Sequence, residues 1–95
     1  MYSEIFRLGQ MLVEANIPFE IRTCHGGYQI GYPKLPPKEC ICDVIEHDFS
    51  YGCKEDKLEI MGLLTPEESR HDSVLGFLTA ENVFQRIKKH YEENK

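Results

Sequence analysis

The 95-residue sequence predicts an α+β domain: one helix, a four- to five-stranded antiparallel sheet and a C-terminal helix, with both helices on one face of the sheet. Three observations lead there. Apolar residues recur at helical spacing only near the two ends of the chain. The middle alternates apolar and polar residues between glycine and proline breaks. The longest apolar run, residues 60–64, is too short to cross a membrane.

Ile5, Leu8, Leu12 and Ala15 form the first stripe, a helix over residues 3–16 with Ser3 as N-cap and Asn16, before Pro18, as its stop. PFEIRTCHGGYQIGYP then sets Phe19, Ile21, Thr23, Tyr28, Ile30 and Tyr32 against Glu20, Arg22, Cys24, Gln29 and Gly31. That pattern is a hairpin, with the glycines after His25 supplying the positive φ of its turn. Pro33, Pro36 and Pro37 make a stiff connection to a second pair of strands, ECICDVIEH and KLEIMGLL. The pattern G-x-L-T-x-E occurs twice, at Gly62 and Gly76, where a strand ends and Thr65 or Thr79 caps the next backbone amides. After Thr65 a brief turn leads into a fifth strand, VLGFL. After Thr79 a full helix carries the stripe Ala80, Val83, Phe84, Ile87 and Tyr91. The simplest strand order is a meander within a single domain, residues 1–95.

Eleven Lys and Arg against sixteen Asp and Glu give a net charge of -5, which argues against direct nucleic-acid binding by phosphate neutralisation. The charge is uneven. Residues 39–81 carry 3 positive and 11 negative side chains, a net -8, so the middle of the chain offers an acidic face to a basic partner. Glu46, Asp48, Glu55, Asp56 and Glu59 are its candidate contacts. The first residues lack a secretory pattern, so a cytoplasmic protein with four reduced cysteines and no disulfide is expected.

Meander parity puts alternate connections at one end of the sheet. His25 and Gly26, then His47, Ser50 and Tyr51, then Thr79 at the start of the last helix would share a rim. Imidazoles, aromatic rings and helix amides suit a phosphorylated or nucleotide-like ligand. His25, His47, Asp48 and Cys53 could be recast as metal ligands, but their spacing matches no established metal motif, so no metal and no cofactor are expected. A thiol enzyme built on Cys24 and His25 is disfavoured because strand neighbours point to opposite faces. No phosphate loop, dinucleotide fingerprint or nucleophile elbow is present, and the expected protein is not an enzyme.

The segments DVIEHDFSYG, KLEIMGLL and VLGFLTAENVFQRIKKHY resemble a family of small uncharacterised phage and prophage proteins of Firmicutes. The resemblance implies a viral accessory protein in the cytoplasm of a bacterial host, acting by binding. The expected function is stoichiometric binding of a host macromolecule through the acidic face, as in counter-defence. The alternative is a protein that sequesters a nucleotide-like signal at the rim. A homodimer is the favoured state, with Tyr28 and Tyr32 decorating an edge hairpin that pairs with a second copy.

Overall fold

The structure, a computed structural model, describes residues 2–35, 40–47, 55–71 and 73–94. The elements are α1 (Ser3–Glu14), β1 (Glu20–Cys24), β2 (Gly27–Tyr32), β3 (Cys42–Glu46), β4 (Leu58–Met61), α2 (Pro66–His71), β5 (Val74–Leu78) and α3 (Ala80–Glu93). The sheet is an antiparallel meander in the order β1-β2-β3-β4-β5. No helix among the described residues is long and apolar enough to cross a membrane.

Alternation decides what goes inside. Ile30, Val44, Leu58 and Ile60 are fully buried on the inner face, where they meet Ile5, Leu8 and Leu12 of α1 and Val83 and Ile87 of α3. α1 lies over β2 and β3 and packs against α3. Its C-terminus is a Schellman motif: Asn16 takes the left-handed conformation at φ 59, Ile17 N–H donates to Leu12 O and Asn16 N–H to Val13 O.

Several elements differ from the sequence expectation. Ser3 is the first helical residue rather than the N-cap; the cap position is Tyr2, at φ 62, and its side chain makes no cap hydrogen bond. The β1–β2 turn has only two residues, His25 at φ 46 and Gly26 at φ 82, as a type I′ turn requires. Gly27 belongs to β2, and space rather than φ is its reason: a Cβ there would lie 2.0 Å from Glu46 O and 2.6 Å from His47 Cα. Tyr32 is 3% exposed and Tyr28 packs edge-on against Tyr2 and Phe6, so both tyrosines face the helices and neither decorates a sheet edge. The first strand of the second pair starts only at Cys42, which leaves Cys40 in the preceding connection.

The connection after Thr65 is a six-residue helix rather than a turn. Thr65 N–H donates to Glu68 Oε1 at 2.9 Å and Glu68 N–H to Thr65 Oγ1 at 3.2 Å, a complete capping box with Pro66 in the first helical position. Arg86 of α3 holds this short helix with two parallel bonds to the Glu68 carboxylate, each 2.8 Å. That pairing keeps the Glu68 carboxyl near 2.

Candidate functional site

The three connections that parity assigns to one end do meet there, through the first turn of α1. Tyr2 Oη donates to Gly26 O at 2.7 Å, the Ser3 hydroxyl donates to the Asp56 carboxylate, and Glu4 Oε1 accepts from Ala80 N–H at 2.9 Å. Consecutive side chains thus tie the β1–β2 turn, the β3–β4 connection and the start of α3. The same bonds occupy the centre of the expected rim. Thr79 caps α3 by accepting from Asn82 N–H, and the Glu4 carboxylate satisfies the next free amide, placing a fixed anion where a phosphate was expected. Asp56 caps α1 in the same way, accepting from Glu4 N–H.

His25 and His47 come together, ring centroids 5.2 Å apart in an edge-to-face contact. Gly26 lies in the turn beside them. Thr79 follows β5; at about 4.8 Å per strand it stands about 10 Å from His47 at the end of β3 and roughly 15–20 Å from His25 and Gly26, too far for one small group to touch all of them. Asp48, Ser50, Tyr51 and Cys53, like the prolines at 36 and 37, lie outside the described residues. Among the described residues no three His, Cys, Asp or Glu side chains gather as a metal site. Burial pushes the Cys42 thiol up to about 12, and burial beside Asp43 also raises Cys40, so neither is poised as a thiolate nucleophile.

The acidic middle divides by role. Glu46 is fully buried at the inner end of β3, which overturns its assignment as a partner contact: strand alternation aligns it with Cys42 and Val44. Among the described residues no hydrogen bond of good geometry reaches either of its oxygens, while the Asp56 carboxyl acts on it from the β3–β4 connection. Burial first, and then the neighbouring Asp56 carboxyl, push the Glu46 carboxyl up to about 8; Glu46 beside it, with the Ser3 hydroxyl and the Glu4 amide donating, keeps Asp56 near 2. Asp56 is therefore a capping residue, and Glu68 is spent on Arg86. Glu55 remains exposed, and Glu59 stands half-buried on the outer face.

That outer face holds features that the residue pattern did not reveal. Across β1, β2 and β3 it carries a polar ladder: Arg22 Nε donates to Gln29 Oε1 at 2.7 Å, and Gln29 Nε2 donates to Asp43 Oδ2 at 2.9 Å. Across β3, β4 and β5 it is mixed, with Asp43 and Glu59 standing among Ile45, Met61 and Val74. Ile45 pairs with Glu59 and Met61 with Val74, while Ile41, Met61 and Phe77 are 41%, 50% and 60% exposed. The β4–β5 register shifts between Leu58 and Ile60, and Phe77 in the resulting bulge has φ 60. A bulky residue there is strained. The alternation of KLEIMGLL does mark Glu59 and Met61 as outward, but only the exposure of Met61 and Phe77 shows that this face is left open.

A groove of about 900 Å³ also runs between α3 and the segment before α2, lined among others by Leu64, Pro66, Gln85, Lys89 and His90. Tyr32 Oη and His90 Nδ1 lie 2.8 Å apart at one wall. Comparison with protein-family models, with curated proteins and with solved structures finds no match to this chain.

Proposed function

We propose that the protein acts by binding, without catalysis, and that it docks a basic, partly apolar surface of a macromolecular partner on the outer face of β3, β4 and β5. The observation that carries this reading is Phe77. A left-handed aromatic, 60% exposed, costs on the order of 1–2 kcal/mol that Gly or Asn would avoid. Met61, Ile41 and Ile45 extend the apolar surface, and Glu59, Asp43 and Glu55 set its sign. Aromatic and methionine side chains are the usual anchors of such contacts, and rim carboxylates set approach rate and salt dependence. The resemblance to phage proteins makes a host complex the expected partner. Affinity capture with wild type against Phe77→Asn, Met61→Glu and Glu59→Lys tests it. A partner retained by wild type and lost by all three, with faster loss at higher salt, supports the reading; equal retention contradicts it.

The second reading, a nucleotide-like ligand at the His25–His47 end, is favoured by the contact between those rings alone. Thermal shift with a nucleotide panel separates the two. A rise in Tm that His47→Ala removes would support the ligand, and a flat response would end it.

A further inference from the structure

We propose that the exposed edge of β1 pairs antiparallel with β1 of a second copy, joining two sheets around a two-fold axis at Ile21. β1 is an end strand of the sheet and all its residues except Cys24 are exposed. The two-residue turn makes Cys24 and Gly27 a hydrogen-bonded pair. Antiparallel alternation then commits Arg22 and Glu20 to β2 and turns the amides and carbonyls of Ile21 and Thr23 outward. No proline or bulge interrupts this edge.

The register follows from the outward groups and from charge. Centring the axis on Ile21 lets the two Ile21 residues exchange a pair of hydrogen bonds. It also sets Thr23 opposite Phe19 of the second copy and places each Glu20 opposite an Arg22. Glu20 and Arg22 share the outer face; Glu20 Oε1 accepts from Leu35 N–H and Arg22 Nε donates to Gln29, and the second carboxylate oxygen and the guanidinium NH2 groups are what meet their opposites twice across the axis. Centring on Arg22 would set like charges against each other. The inner side of the joint is apolar. Phe6 and Val13 lie on the flank of α1 away from the residues that meet α3, and with Ile21 they are 51%, 62% and 42% exposed. A two-fold axis beside β1 brings these strips together. This surface is separate from the outer face of β3–β5, so neither proposal depends on the other.

Molar mass by light scattering across a dilution series tests it on the full chain. Wild type is expected to approach twice 11.1 kDa at high concentration. Thr23→Pro removes one outward amide and keeps the pairing with β2, so it is expected to halve the mass with unchanged circular dichroism. Glu20→Arg and Arg22→Glu are each expected to be monomeric alone, and mixing them is expected to restore a dimer, because among the variant pairings only the mixed one, like wild type, sets Arg against Glu at both positions. Wild type that stays at 11.1 kDa overturns the proposal. So does a dimer that survives Thr23→Pro and both reversals, or a mixture that stays monomeric after each variant has been shown to fold.

Discussion

The two edges of one sheet are built differently. β5 is bulged, with Phe77 at φ 60, and its register against β4 is broken between Leu58 and Ile60. A bulge twists the strand and spoils the even row of donors and acceptors that another strand would need. β1 has none of this: its five residues pair with β2 without a break, from Glu20 opposite Gly31 to Cys24 opposite Gly27. The closed edge carries exposed side chains on the sheet face, and the open edge carries exposed backbone. One is suited to side-chain docking, the other to strand pairing.

The largest effect should come from dislodging the hairpin that holds the open edge. A Cβ at residue 27 would meet two backbone positions of β3 and its end, neither of which can swing aside. Gly27→Ala is therefore expected to cost about 3 kcal/mol or more and to lower the urea midpoint sharply, removing the β1 edge with it. Retention of wild-type stability would mean that β2 does not press on β3 as described.

The next effect concerns the proton beneath α1. Because Glu46 is raised from 4.5 to about 8 in the folded chain, unfolding releases its proton between those values. Stability from this group is fully present below about 4.5 and falls as pH rises towards 8. Glu46→Gln keeps the shape without the ionisation. It is expected to abolish that decline and to be more stable than wild type at pH 8.5 by on the order of 2 kcal/mol. Parallel pH profiles of Tm for the two proteins would contradict the assignment. Asp56 has the opposite sign: its depressed value contributes stability that is lost as pH falls through about 2.

The smallest effect sharpens the contrast most. Phe77→Asn relieves left-handed strain and exposes little new apolar surface, so chemical denaturation should show a gain of up to about 1 kcal/mol with the mass unchanged. The same substitution is expected to lose partner capture. Stability gained while binding is lost would identify Phe77 as kept for contact; a destabilised variant would make it a packing residue.

The pattern of the chain made the fold legible. Period-2 alternation in EIRTC, GYQIGY and CDVIE separated inner from outer side chains, and the stripes at Ile5–Leu12 and Ala80–Ile87 separated helices from strands. Parity then placed the turn at Gly26, the connection after His47 and the start of the last helix at Thr79 at one end. What the sequence could not show was occupancy. Asp56 reads as a surface acid and Glu4 carries no signal, yet Asp56 fills the N-terminus of α1 and Glu4 that of α3, a match set by tertiary contact between residues more than fifty apart. Glu46 has the strand parity of Val44, so its burial was readable in principle, but its charge pointed to the surface. The bulge at Phe77 carries no glycine at the strained position; Gly76, just before it in VLGFL, was the one local sign of a bulge. The capping box at Thr65–Glu68 was written in the sequence, but the brevity of the segment favoured a turn over a helix.

Amide hydrogen exchange as a function of protein concentration compares the two edges in one experiment. Protection at Ile21 and Thr23 is predicted to rise with concentration while the β5 amides stay constant. Exchange at β1 that ignores concentration, or protection that grows at β5 instead, would contradict the assignment of the open edge to self-pairing.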